Sequence, residues 1–388
     1  MSPPRYSILL PTRDGAPLLQ GCIDSVLEQD YEDFELVISN NASQDGTTEI
    51  LAQYASHPRV RLLQQEELVD VTDNWLAVLH ASRGERFTLM GDDDLLLPGY
   101  FQRLDALLER HGDPDVLVHN AYTFAYPGLA GSSVSCYQDS FFESNNIKLS
   151  GKLSRGQRRE IVRKLFRFDF CMTLNMQVTS IARRALELFP GEPFKRPWPD
   201  IYCGIGLLLN ADSWAISHDR LVVVGVTPQS FGHSAFSAES DDRGRTYLGV
   251  DLRFEDQLPG SVLVNGHHET LAMLKESFPT ELAEIEIDRH EYVLQQVYAW
   301  YYQQRLGLLS WRGFANRMRL LHVGEVLGLP RVAVKKVRPD KVKRLLALGS
   351  DPSPDTVWPG MRPLAEISDI GEFARWVQAG EPPAHVAA

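Results

Sequence analysis

Three consecutive carboxylates, Asp92, Asp93 and Asp94, follow directly on an apolar run at residues 87–90. Like charges packed side by side repel unless a cation offsets them. Hard divalent ions such as Mg²⁺ or Mn²⁺ accept one or two carboxylates and complete their shell with substrate phosphates. The triplet therefore points to a metal-bridged phosphate ligand. Its alternative is a solvated turn, or a cap on a helix opening at Leu95. Two other polar segments, residues 11–14 and 40–45, also follow apolar runs. A fourth carboxylate, Asp200, stands just after Pro199, where a helix is expected to open.

The elements that must hold these residues alternate in type. Residues 6–10, 34–38, 60–63, 87–90 and 116–119 read as buried strands, and 18–27, 48–54 and 72–81 as helices. Such alternation predicts an α/β fold, a mostly parallel sheet covered on both faces. Ligands of these sheets bind at the carboxyl ends of the strands. All three polar segments fall there. Further on, residues 155–167 read as a basic helix, a helix opens at 197–200, residues 221–226 form a strand, and the chain beyond about 265 is helical to near its end.

Composition narrows the class. The 388 residues are 44% apolar and 23% charged, ordinary for a globular enzyme, with a net charge of −12. That balance argues against general nucleic-acid binding. The four cysteines, Cys22, Cys136, Cys171 and Cys203, form no CxxC pair and suit a reducing cytoplasm. Residues 1–8 do not read as a signal peptide, and no stretch reaches the roughly 18 apolar residues of a membrane span. The expectation is a cytoplasmic protein, or one resting on the inner face of the membrane.

Several ordered motifs resemble one family. Ser7-Ile8-Leu9-Leu10-Pro11-Thr12-Arg13-Asp14 resembles the opening strand of the family 2 glycosyltransferases, inverting enzymes of the GT-A fold. Tyr31-Glu32-Asp33-Phe34-Glu35-Leu36-Val37-Ile38 is similar to their second strand, and Asn40-Asn41-Ala42-Ser43-Gln44-Asp45-Gly46-Thr47 to their nucleotide-binding turn. Ala81-Ser82-Arg83-Gly84-Glu85-Arg86-Phe87 leads into the acidic cluster and Leu95-Leu96-Leu97-Pro98-Gly99 follows it, as in that family. The resemblance is good over residues 5–120 and loose over 170–235.

It implies a nucleotide-sugar donor, a hydroxyl acceptor, a Mn²⁺ or Mg²⁺ cofactor, and a role for each matching residue. Pro11, Thr12 and Asp14 would lie near the nucleoside. Asn40 and Asn41 stand where the family often has acids. Their amides can serve a base edge such as uracil, making a uridine diphosphate sugar the leading donor, although thymidine offers the same edge and turn chemistry favours asparagine too. Asn74 would line the nucleotide pocket. The family's D-x-D-D falls on Gly91, Asp92, Asp93 and Asp94, so glycine replaces the first acid. Asp93 then becomes the direct metal ligand, Asp92 a ribose or water contact, and Asp94 a supporting or further metal residue. Asp200 matches the general base and His233 a late metal ligand, where a hydrogen-bonded structural histidine is the alternative; apart from the resemblance, Arg243 and Arg245 stand in a polar stretch that could close on the diphosphate or simply be solvated. Trp198 fits either a sugar face or the core.

The expected domains are a catalytic unit, 1–262, and a helical region, 263–388. Between Arg305 and Arg344 stand eleven Lys or Arg and two acids, a net +9 that leaves −21 for the rest. Aromatics flank this stretch. It suits an anionic membrane surface, where a lipid-linked acceptor would sit, or else a homodimer interface or a solvated face. Two other functional classes remain at this point. A sugar-phosphate nucleotidyltransferase would need a Gly-rich basic loop after the first strand, which residues 11–14 do not supply. A non-catalytic sugar-binding protein would not need Asp200 beside an intact acidic cluster.

Overall fold

The computed structural model describes residues 2–129, 132–144, 147–169, 175–228, 230, 249, 252–305, 307–336 and 360–380. Its first quarter is a parallel block. Strands β1 (Tyr6–Thr12), β2 (Phe34–Asn40), β3 (Val60–Gln64) and β4 (Arg86–Leu89) lie in the order β4-β1-β2-β3. The crossovers are α1 (Ala16–Leu27), α2 (Thr47–Ala52) and α3 (Val71–Ala81). β1 and β2 are buried along almost their whole length, as strands covered on both faces must be. α1 seats Leu19, Cys22, Ile23 and Val26 in the core, and Asp70 caps α3 by accepting from the Thr72 and Asp73 amides. Pro11 interrupts β1 without harm: pairing with β4 ends at Leu9↔Leu89, and beyond it β1 pairs only with β2.

Past β4 the sheet becomes mixed. Strand β5 (Leu95–Leu96) and helix α4 (Tyr100–His111) follow, α4 being bounded by left-handed Gly99 and Gly112. Next come β6 (Val116–Ala125), β7 (Ser135–Gln138), α5 (Phe141–Ser144), β8 (Gly151–Lys152), α6 (Arg155–Phe166), β9 (Thr179–Ala182), α7 (Pro199–Asn210) and β10 (Trp214–Val226). β9 lies antiparallel between β4 and β6. β10 runs parallel to β6 and antiparallel to β5 and β8. The expected α/β class holds, with parallel pairing confined to β1–β4 and to β6 with β10. β10 also begins at Trp214, ahead of the expected start at Leu221, because a bulge between Ile216 and Val222 breaks its pattern.

α7 is buried on nearly every side and packs between α6 and the helix Val262–Ser277. Helices Arg289–Arg305, Trp311–Met318 and Val323–Lys336 stack outward from there. The chain then returns to the sheet. β11 (Arg362–Leu364) adds an antiparallel strand to β7, where an edge tolerates Pro363. The helix Ile370–Ala379 shares a core with Leu95, Leu97, Phe124 and Val223. A strand at this position departs from the helical pattern expected beyond residue 265. Among the described residues no helix is long and apolar enough to cross a membrane.

Candidate active site

The three polar segments converge at the carboxyl ends of β1, β2 and β4. The first two loops are knitted together. The Gln44 amide donates to Asp14 (2.7 Å), the Asp14 amide to the Ser43 hydroxyl (2.9 Å), and the Ala16 amide to Asp45 (3.0 Å). Asp14 and Ala42 both adopt positive φ. Asp45 feels burial pushing its carboxyl up, but the Thr47 hydroxyl and the Thr47 and Ala16 amides outweigh it and hold the pKa below its usual value.

The acidic loop closes against the first of these. The Thr12 hydroxyl donates to Asp92 Oδ2 at 2.5 Å. Gly15 faces the same carboxylate so closely that any Cβ there would collide with it. Asp94 is buried and each of its oxygens accepts from a backbone amide: Oδ2 from Gly91 (2.7 Å) and Oδ1 from Gly225 (3.0 Å). Gly225 itself lies on the Asp93 carbonyl, leaving no room for a side chain. Asp93 is the least committed: among the described residues its one bond from another residue is a long one from the Ser230 hydroxyl (3.3 Å). The Cys22 thiol donates to the Gly91 carbonyl at 3.3 Å, fixing α1 to the loop.

Electrostatics follow from this crowding. Burial and then the charge of Asp92 raise Asp93 to about 7. Burial, with Asp93 next, raises Asp94 well above the carboxylate range, and burial raises Asp92. Burial first, and neighbouring charge second, oppose ionising these acids, and a divalent cation would offset both. Among the described residues no three acid, histidine or cysteine side chains form a closed metal cage. One or two carboxylates plus phosphate oxygens are enough for Mg²⁺ or Mn²⁺. Asp93, with Asp92 beside it, fits that demand.

Asp94 has the supporting part among its two expected ones. Leu95 enters a strand, so Asp94 caps no helix; it braces the turn through two backbone amides. Asn40 and Asn41 both take part in turn bonding. The Asn41 amide clasps the backbone of Val69 at both ends (2.8 and 2.9 Å). Asn40 donates to Thr48 and Gln64 and accepts from the Ser43 amide. Both N–H groups of the Asn40 side chain are thus engaged, and one of Asn41's. Asn74 does have spare capacity: it is buried, and its Oδ1 has no partner among the described residues. His233, Arg243 and Arg245 lie outside the described residues.

Asp200 stands in the first turn of α7, whose N-cap is Trp198 and which carries a proline at its start. It is therefore inside the helix rather than capping it. Burial lifts its carboxyl to about 6, against the pull of the Ile201 amide. Trp198 is a core residue, its indole pressed over Gly266. Four residues before Asp200, Arg196 grips Asp70 (2.5 and 2.8 Å) and Asp73 (2.5 Å) at the start of α3. The Asn41–Val69 clasp lies just ahead of that start, so the approach to α7 is tied to the β2 turn.

Sequence reasoning missed Arg196, Gly225, Ser230 and Tyr126. Glycine inside the valine run of β10 was a signal, since it marks close backbone approach. Tyr126, just beyond β6, has a buried hydroxyl with no partner among the described residues. Burial, then Asp369 and Asp93, push its phenol far above the usual range. Nothing in the local sequence marked it.

Residues 7–166 match the family model described as Glycosyl transferase family 2, and the chain carries a domain of that family. EpsE of Bacillus subtilis (strain 168) is 28% identical over 135 residues, 34% of this chain and 49% of EpsE. Chondroitin synthase of Pasteurella multocida (strain Pm70) is 33% identical over 96 residues, 24% of this chain and 10% of that one. The chain spans about half or less of the curated relatives it matches. Among solved structures, Staphylococcus aureus TarS 1–349 in complex with UDP-GlcNAc aligns over 97% of this chain and 92% of that one, at 15% identity and a TM-score of 0.46.

Proposed function

We propose that this protein is an inverting glycosyltransferase that moves a sugar from a nucleoside-diphosphate sugar to an acceptor hydroxyl. Residues 1–262 would form the catalytic domain, with 263–388 a helical region whose end, 360–380, packs back on the sheet. The observation that carries the reading is the loop 91–94. It holds a raised, weakly bonded Asp93 at the mouth of a parallel sheet, beside Asp92, which is held by Thr12. The family match supports it.

Asp200 accepts the proton of the acceptor hydroxyl, and the oxygen forms a bond to the anomeric carbon. The bond from that carbon to the phosphate oxygen breaks, and its electron pair leaves with the diphosphate. A bound Mg²⁺ or Mn²⁺ would neutralise the charge gathering on that diphosphate. Asp93 is the residue that would hold it, and Asp92 sits beside it for ribose or a bound water. Asp94 keeps the turn in shape through Gly91 and Gly225. Asn74 offers a buried acceptor oxygen to the donor. Uridine diphosphate sugars remain the first donors to test, with Asn41 keeping one N–H and one oxygen lone pair beyond its Val69 bonds.

The test is a thermal-shift panel of nucleoside diphosphates and their sugars, with and without Mn²⁺. Metal-dependent stabilisation by at least one nucleoside diphosphate is expected. A flat response to every nucleotide overturns the reading.

A further inference from the structure

Of the nine large apolar side chains strongly exposed among the described residues, seven fall within residues 308–334. Isolated exposed apolar residues are ordinary, but a cluster marks an interaction surface. On the helix Val323–Lys336 the positions Val323, Leu327, Pro330 and Val334 recur at helical spacing and share one face. Val323, Leu327 and Val334 are 76%, 75% and 83% exposed. Leu308 and Trp311, at 66% and 59%, stand at the start of the preceding helix.

The opposite side of this helix is the one that docks. Glu325 is buried there and pairs with Arg289 (2.8 Å), and His290 packs against Gly328. Glu325 is also the one acid between Arg305 and Lys336. Turned inward, it leaves the outer face with no negative charge. Arg312, Arg319 and Arg331, on or beside the same two helices, are exposed. Sequence alone adds Lys335, Lys336, Arg338, Lys341, Lys343 and Arg344 beyond it.

We infer that residues 308–334 form a docking face for an anionic lipid bilayer. An apolar stripe rimmed by Arg and Lys enters the headgroup boundary while its cations meet lipid phosphates. Charge decides against a second copy as the occupant. A two-fold interface would set this basic face against itself with no acid to offset it. It also fixes orientation, because the remainder of the chain carries −21 and is repelled by the same surface. The inference does not depend on sugar transfer.

The experiment is flotation of the full chain, without donor, on phosphatidylglycerol–phosphatidylcholine vesicles and on phosphatidylcholine alone. Binding to the anionic vesicles only is expected, weakened at least about tenfold in roughly 0.5 M salt, where screening shortens to a few ångströms. V323S/L327S should weaken it by about tenfold through lost apolar insertion, and R312Q/R331Q by a similar factor. Both pairs are exposed, so folding, checked by melting, should be unchanged. Absence of anionic-vesicle binding overturns the inference. So does undiminished binding by V323S/L327S, or a lipid-free dimer, seen by sedimentation, that the same substitutions disperse.

Discussion

The loop 91–94 and the helical stretch 308–334 handle charge in opposite ways. The first gathers three acids in a confined turn and spends backbone amides, a threonine and a serine to hold them. The second turns its single acid inward and leaves arginines in water beside bare apolar side chains. Repulsion confined to a strand end is stored for a ligand that relieves it. Charge spread over an open helix face stores nothing, and it directs where the molecule lands. Substitutions in the loop should therefore move both turnover and stability strongly, and those on the helix face almost neither.

The largest effect is expected at Asp93. Asp93→Asn should cut sugar transfer by about a thousandfold or more, the scale of a lost charge stabiliser, and abolish the Mn²⁺-dependent thermal shift with nucleotide. Transfer near the wild-type rate would remove the loop's distinction. Asp200→Asn should lower kcat by about a hundred- to ten-thousandfold while donor affinity holds. In the unaltered protein kcat should rise with pH through about 6, because the base works only after losing its proton. A pH–rate profile reads this, and a flat one between pH 5 and 7 would remove Asp200 from the role.

Gly225→Ala comes next. Its methyl must displace the Asp93 carbonyl, at a cost of about 1–3 kcal/mol in melting experiments, with weaker metal-dependent binding. Smaller still is the effect of proton binding without metal. Asp93 is raised when folded, so the stability it contributes is whole below its unfolded value, near 3.8, and is lost as pH rises through about 7. Metal-free protein should thus lose about 1–2 kcal/mol through this residue between pH 5.5 and 8, and Asp93→Asn should not. Calorimetry in chelator measures it. The smallest effect belongs to the other region: Leu327→Ser should change stability by less than about 0.5 kcal/mol and leave transfer in solution untouched.

The parallel block was legible because its rules are local. β1 and β2 are short, mostly apolar runs, residues 18–27 repeat apolar positions at helical spacing, and polar turns follow β1, β2 and β4. The antiparallel strands were not. β8 and β11 have two and three residues, too short for any periodicity, and β9 is set by its neighbours β4 and β6. In the site, sequence named the carboxylates and the two asparagines but not the partners that Asn40, Asn41 and Asp94 engage in the fold. Residue type shows what a side chain can bond, and only the fold shows which bonds are already made. Val69 and Gly225 are far from their partners along the chain, so nothing in a local window reveals the claim each makes on an amide or a carboxylate.

Gly225 has one more consequence. The chain from Asp200 to Gly225 is one helix, a brief turn and one strand, and it ends pressed on the Asp93 backbone. That run works as a ruler between the residue proposed to take the proton and the residue proposed to steady the departing group. One added helical turn in α7 would lengthen it by about 5.4 Å. Length changes between residues 200 and 225 should therefore be refused, because they would shift one of these residues against the other.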